Sequence, residues 1–429
     1  MTGLRGVVRL LRGRARRLAS RDRAVWQGVL ITAGLALFRG LHRGLDVGRS
    51  GFRMVGLPRP SVEGFDTAGE LLPADAAVQS DPIARDGCTS PAADTRPDFA
   101  SVSWRLYRDV LLPVGNSARR TAWFSGLDLF IEESEMEVFD YRNFANHLDL
   151  VAASRSGALA RRHEAGRSIG TMIYPGSFAP GNWYHWITEI LPRIWLTRRL
   201  PTDLDGVPLL IHPGFLQFPA MRETLDVIRG DRPVITVDDV EWLHIDRMVW
   251  VDGMFSMNHH AIYPDGLVNQ SSRFHPAMRD FRADVLAARR RVSGGTPRRV
   301  FLDRGGHARP YNDTEAKEAL ASRGFVVVDP GSLDFSGQVE LFANAEFLVG
   351  PSGAAWANLL FASQGTKALY WTPSYFAGTQ TWASLGALSG AAVHEHTYSQ
   401  AFGAFKYGSY ELDVPDLLDH VDRVLGDDA

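Results

Sequence analysis

The sequence predicts an α/β protein built on parallel sheets, and three observations predict it. Between Arg298 and Trp371 short apolar runs (RRVFLDR, FVVVDP, EFLVG, TKALYW) alternate with helix-like runs (TEAKEALASR, FSGQVELFANA, AAWANLLFAS). That rhythm belongs to successive βαβ units of a Rossmann-like domain. A second alternation precedes it: VPLLIH and PVITV read as strands, PAMRETLDVIR as the helix between them, and WLHIDRMVWV as a further strand. Finally, 429 residues suffice for two ordinary domains with cores of their own.

The most informative stretch is the joint EFLVGPSGAAWANLLF. A buried-strand run stops at Gly350, turns through Pro351, Ser352 and Gly353, and enters an apolar helix at Ala354, with Asn358 four residues on. Such a joint presents unpaired backbone N–H groups and a positive helix end to an anion. Arg304 and Arg309, in the loop RGGHARP after the strand VFLD, and Lys367 add positive side chains to the same rim. Open α/β sheets bind ligands beyond the carboxyl ends of their strands, and a guanidinium fork suits phosphate oxygens. The expected occupant is a nucleotide diphosphate. Small residues at a strand-to-helix turn also serve packing alone, and arginines also suit a solvated loop. No G-x-G-x-x-G follows a strand here and no GxxxxGK[ST] occurs, which counts against NAD and P-loop readings.

Composition bounds the rest. With 45% hydrophobic and 22% charged residues the chain reads as globular, and a net charge of −3 gives no field that calls for nucleic acid. Cys88 is the only cysteine, so no internal disulfide forms, which suits a reducing compartment. Charge is uneven: Arg5 to Arg23 holds eight arginines and one acid, Asp22, followed by an uncharged run of fifteen residues from Ala24 to Phe38. That run is shorter than the roughly 20 residues a membrane-spanning helix needs. Arg39, His42 and Arg43 stand where a signal peptide would place small residues. Residues 1–45 therefore read as a basic amphipathic arm for an anionic, cytoplasmic membrane face, with a helix packed on the protein as the alternative.

Residues 46–100, rich in Pro, Gly, Ala and Asp, read as linker or irregular covering structure. Ser101–Leu112 and Thr121–Phe139 suggest strands, and Asn143–Leu159 a helix. In GNWYHWITEILPR, Asn182 caps a helix that begins near Trp183, His185 and Glu189 share one face, and Pro192 kinks or stops it. Pro276–Val292 reads as a helix, and SGGTP marks the boundary between an N-terminal lobe, 101–295, and a nucleotide-binding lobe, 296–429. Asn312 and Glu315 form a capping-box pattern. TWASLGALSG and VPDLLDHVDRVL read as helices, with the strand AAVHEH between them.

Four motifs in order, GNWYHWITEILPR, DRGGHARPYNDTE, FSGQVELFANAEFLVGPSGAAWANLLF and LYWTP, resemble glycosyltransferase family 61, the DUF563 group that includes capsular-polysaccharide proteins. The resemblance spans about Gly181 to Pro373. It implies a GT-B architecture of two facing Rossmann-like lobes, in which a last helix often crosses back to the first lobe. It implies inverting transfer of a hexose or pentose from a nucleotide sugar to a glycan acceptor, with no cofactor. Family members often carry His in the turn where this chain has Ser352, so no His contact to phosphate carries over.

Inversion needs a base for the acceptor proton and stabilisation of the departing diphosphate. His185 is the leading base, with Glu189 orienting it or acting itself. A hydrogen-bonded core His among Trp183, Tyr184 and Trp186 is the structural alternative. Asn182, Asn312, Glu315, Gln338 and Glu340 are further motif positions, of which Gln338 and Glu340 either face the donor or lie on a helix surface. Asp203 and Asp205 have D-x-D spacing but precede a strand, and no Cys or His cluster has zinc-ligand spacing, so metal-free departure is expected. His259 and His260 either line an acceptor groove or sit in a loop. A silent nucleotide- or glycan-binding protein and a nucleotide-sugar isomerase are the competing functions.

Overall fold

The computed structural model describes residues 52–55, 59–60, 65–78, 98–114, 122–125, 128–131, 150–154, 157–161, 165–176, 181–237, 241–259, 270–289, 295–304, 309–374, 377–378, 381–400 and 408–426. The basic arm, Cys88, His260 and the centre of RGGHARP lie outside them, as does the side chain of His259. The chain divides into two compact units, residues 1–67, 106–172 and 238–248 in one and residues 68–105, 173–237 and 249–429 in the other. Among the described residues no helix is long and apolar enough to cross a membrane.

In the first unit the expected strands form an antiparallel ladder: Val110 and Leu111 face Ser125 and Phe124, and Ala122–Ser125 pairs with Asp128–Ile131. Two expectations change. Of the span read as a helix, 143–149 lies outside the described residues, and the described remainder is strand: Leu150–Ser154 pairs antiparallel with Gly157–Arg161. A glycine at the second strand's start disfavours helix, and pairing with Phe52–Val55 supplies the edge hydrogen bonds that a strand needs. Phe52–Val55 and Arg59–Pro60 are therefore strands inside the span read as linker. Strand propensity depends on such partners, which composition does not reveal.

The second unit holds the later alternation and the earlier one as far as PVITV; most of the further strand, Glu241–Val251, falls in the first unit. Helix α1 runs in three pieces, Trp183–His185, Trp186–Ile190 and Leu191–Leu196, of which the middle one is a π-turn. Strand β1 is Leu209–Ile211, α2 Pro219–Ile228 and β2 Val234–Thr236. Ile173 pairs parallel with Leu209, and β1 with β2. After α3, Met278–Ala288, comes the larger sheet. Its elements are β3 Arg299–Leu302, α4 Asp313–Ala321, β4 Val326–Val328, α5 Phe335–Asn344 and β5 Phe347–Pro351. They continue with β6 Lys367–Pro373, α6 Thr381–Ser389, β7 Ala392–Tyr398 and α7 Val414–Gly426.

All pairings in this sheet are parallel, and the strand order is β4-β3-β5-β6-β7. The order reverses direction between β3 and β5, so the connections leaving these two adjacent strands diverge to opposite faces and open a crevice at their carboxyl ends. One face is sealed by Phe301, Val349, Leu369 and Trp371 packed against Ala316 and Leu320 of α4 and Leu417, Val421 and Val424 of α7. On the other face Trp356 packs edge-on against Tyr370. The last helix thus packs on its own sheet and against α4, and just beyond α4 Arg323 and Asp422 form a two-bonded ion pair. The apolar run after the glycine turn is a 3-10 helix, Ala354–Phe361, in place of the expected α-helix. Its first turn is anchored by Trp356, whose indole donates to Pro351 O at 2.9 Å, and its end by Arg282, which donates to Leu360 O and Ala362 O.

Candidate active site

Arg304 follows β3 and the turn Ser352–Gly353 follows β5, so both arise at the carboxyl ends of the two strands that flank the reversal. The guanidinium of Arg304 lies against Gly353: a Cβ there would sit 3.2 Å from Nη2 and 3.3 Å from Nε. The glycine makes room for the cation. Arg309 Nη2 donates to Ser352 O at 2.9 Å. Its backbone has φ 57°, one of two non-glycine residues with positive φ among those described. Such conformations cost roughly 1–3 kcal/mol and gather at binding sites. Burial, and then the Arg309 charge, push the Arg304 guanidinium down to about 10.

The nearest candidate to neutralise Arg304 is turned elsewhere. Asp303 accepts the Arg304 backbone N–H at 2.8 Å and pairs with Lys317 Nζ at 3.1 Å, while Lys317 also binds Asp313 at 2.8 Å. Arg304 Nη2 is buried and has no hydrogen-bond partner among the described residues. An unpaired buried donor on a cation is costly, and a bound anion removes that cost. In the 3-10 helix the first intrahelical bond is Trp356 N–H to Gly353 O, which leaves the amides of Gly353, Ala354 and Ala355 outside the helical ladder. The Ser352 amide is not among them, because it donates to Trp371 O at 2.9 Å.

Helix α1 carries His185 and Glu189, the two residues expected to act as base and orienting acid. Asn182 caps it, accepting from Tyr184 N–H at 2.9 Å. His185 Nδ1 and Glu189 Oε1 are 2.6 Å apart, with side chains 13% and 14% exposed, so the pair is shielded yet reachable. Pro192 does not stop the helix. The preceding π-turn shifts the ladder, with Leu191 N–H donating to Trp186 O, and the helix resumes with Pro192 at the opening of its last piece, where a missing N–H is tolerated.

Two indoles tie this helix to the turn at Ser352 and the 3-10 helix that follows it. Trp183 Nε1 donates to Asn358 Oδ1 at 3.0 Å, and the Asn358 amide donates to Gln338 Oε1 at 2.9 Å. Trp382 Nε1 donates to Ser352 Oγ at 3.1 Å, and its ring meets Tyr184 edge-on at 5.4 Å, beside His185. The His185–Glu189 pair and the turn at Ser352 are therefore neighbours, held by two part-buried indole hydrogen bonds and one buried amide bond, which resist displacement because each donor loses its partner if they part.

Several expected donor contacts resolve into scaffold. Asn358 and Gln338 spend their amides on the network just described. Gly350 is a packing requirement, since a Cβ would fall 2.7 Å from Leu302 O. Lys367 is not on the rim: it opens β6, level with Phe347 at the opposite edge of the sheet, and donates to Val424 O at 2.8 Å. Asn312 occupies the cap position of α4 without a side-chain cap bond. It exchanges two bonds with the Leu412 backbone and donates to Glu315 at 2.7 Å, so the pair anchors a distant segment. Glu340 pairs with Arg289 at 3.2 Å and accepts from Asn344.

Residues missed in the sequence act mainly as supports. Glu223 of α2 accepts from Phe335 N–H and Ser336 Oγ at 2.9 Å each, fixing the start of α5. Arg193, buried against Trp250 at 4.8 Å, donates to Pro175 O, and burial pushes it down to about 10. Trp382 gave no signal, because an isolated Trp in an apolar helix looks like core. Among the described residues no three His, Cys, Asp or Glu side chains are arranged to hold a metal ion.

Compared with family models, residues 183–369 match Glycosyltransferase 61, a stretch that begins at the first residue of α1 and ends in β6. No curated protein matches the chain.

Proposed function

Residues 183–369 being a glycosyltransferase family 61 region, we propose that this protein moves a hexosyl or pentosyl unit from a nucleotide-diphosphate sugar to a hydroxyl of a glycan acceptor, with inversion and without a metal. The observation that carries the proposal is the guanidinium of Arg304 at the sheet reversal, whose buried Nη2 has no partner among the described residues, with hydrogen bonds linking the adjacent turn to a His–Glu pair. Arg304, Arg309 and the amides after Ser352 receive the diphosphate. Glu189 on Nδ1 sets the His185 tautomer, so that Nε2 takes the proton of the acceptor hydroxyl. The acceptor oxygen bonds to the anomeric carbon as the bond to the diphosphate oxygen breaks, and the electron pair leaves with the diphosphate, where the two arginines stabilise it. Arginine charge supplies what a divalent ion supplies elsewhere.

The products would serve surface or capsular polysaccharide assembly, at a cytoplasmic membrane face reached by the arginine-rich residues 5–23. Co-sedimentation of the full chain with anionic vesicles tests that location; no binding rejects it. The central experiment is a thermal-shift screen of nucleotide sugars followed by product analysis with and without acceptor. A stabilising donor and an acceptor-dependent product are expected, with Arg304→Ala and Arg309→Ala each weakening donor binding about 10-fold or more. Wild-type affinity in both variants defeats the cradle, and product without acceptor identifies an isomerase. Binding without any product leaves the silent binding protein.

A further inference from the structure

Tyr311, Tyr410 and Tyr398 form a column beside Arg304. Tyr311 stacks on Tyr410 with centroids 5.1 Å apart and planes 8° from parallel, and Tyr410 stacks on Tyr398 at 3.8 Å and 14°. Packing accounts for the rings: Tyr311 also meets Trp371 edge-on at 5.8 Å. The Tyr410 hydroxyl has a role too, accepting from Trp371 Nε1 at 2.8 Å. The hydroxyl of Tyr311 has none. It is buried and has no hydrogen-bond partner among the described residues.

That orphan has a specific neighbour. The Arg304 charge acts on Tyr311, and Arg304 Nη2 is itself buried without a partner. Two side chains that feel each other thus both withhold a donor from the protein. The local carboxylates do not claim them, because Asp303 and Asp313 converge on Lys317. Burial, the foremost cause, holds the Tyr311 hydroxyl protonated far above its ordinary range, so it remains a donor at any working pH. A buried donor left unpaired is destabilising unless a ligand pairs it.

We propose that Tyr311 is a third ligand of the bound anion, its O–H donating to a non-bridging oxygen of the diphosphate that Arg304 and Arg309 hold. This rests on the donor reading above and extends it from charge to geometry. Two guanidiniums attract any polyanion, whereas a hydroxyl on a rigid stacked ring fixes where one oxygen sits, and through it the leaving group. Tyr311 is a binding and positioning residue, with no part in proton transfer.

The test is Tyr311→Phe, which keeps the ring stack and deletes the hydroxyl. Its ligand-free melting temperature stays level or rises, because an unpaired buried group is removed. Its affinity for inorganic pyrophosphate and for nucleoside diphosphates, measured by calorimetry, falls about 10-fold or more. A purely structural tyrosine would move both quantities down together or neither. Tyr410→Phe is the control for the column: it breaks the Trp371 bond, lowers the melting temperature and leaves pyrophosphate affinity unchanged. Equal loss of affinity in Tyr410→Phe means the column acts through packing and overturns the assignment. If Tyr311→Phe binds as the wild type while Arg304→Ala does not, Tyr311 is excluded and the donor site stands. If Arg304→Ala also binds normally, the donor reading itself has failed.

Discussion

Arg298, Arg299, Arg323 and Lys367 stand at the amino edge of the five-stranded sheet, and each has a partner there: Glu346, Arg323 O, Asp422 and Val424 O respectively. At the carboxyl edge of the same sheet Arg304 is more deeply buried, has no carboxylate partner among the described residues, and shares its surroundings with Arg309. Both edges are built from the same strands and the same residue types. One edge spends its cations on the fold, as exposed pairs of small net value. The other stores charge where burial makes it unfavourable, and folding gains nothing from that arrangement. The difference sets the proposed binding edge apart from the scaffold more sharply than any count of arginines.

Breaking the chemistry at the carboxyl edge gives the largest expected effect. His185→Ala lowers transfer by about 10²- to 10⁴-fold, the usual worth of a general base, while calorimetry shows unchanged donor affinity. Turnover within a few-fold of wild type removes His185 from the mechanism. The next effect concerns stability and carries the opposite sign from intuition. Arg304 is held below its ordinary pKa, so the folded state disfavours its charge at neutral pH; that cost would disappear only as pH rises through about 10. Arg304→Met therefore raises the ligand-free melting temperature and abolishes the stabilisation that donor gives the wild type. Arg298→Met, at the other edge, changes neither. A lower melting temperature in Arg304→Met would make that cation a structural one, like its counterparts.

The sequence carried much of this in period and punctuation. The 2-residue and 3.6-residue rhythms placed the sheet strands and long helices from Leu209 onward but missed the antiparallel pair Phe255–His259 and Gln270–Phe274, and the GPSGA turn falls at the carboxyl end of β5. Strand order was not legible, because the reversal between β3 and β5 is set by which neighbours pair. Lys367 was misplaced for that reason: in sequence it follows the turn by few residues, yet a strand's length separates them in space. Asn312 looked like a cap because its type and spacing suit one, and only Leu412, 100 residues away, shows what its amide binds. The later part of the helix expected at Asn143–Leu159 failed likewise, as Gly157–Arg161 pairs with a strand just over 100 residues upstream. The 3-10 geometry after Gly353 is set by tertiary anchors at Trp356 and Arg282.

The smallest effect lies behind both edges, where α7 rests on β7. His396 of β7 faces His420 of α7 with ring centroids 5.7 Å apart, and His394 lies 6.4 Å from His420. Burial lowers His396, against weaker opposition from Asp416 and Asp413 and a push in the same direction from Arg423. Burial also pushes His420 down to about 4, helped by His396, Arg423 and His394 and opposed by Asp416. Between the ordinary histidine value near 6.5 and about 4 the unfolded chain binds more protons than the folded one, so stability falls as pH falls through that window and is flat above it. A drop of a few degrees in melting temperature is expected between pH 7 and pH 5. His420→Gln should flatten that slope while leaving donor affinity at pH 7 unchanged. Because α7 also seals the sheet face behind Trp371 and Tyr410, a slope that survives the substitution would move the acid sensitivity to the carboxyl edge, where the cradle is, and would end the separation of the two edges argued above.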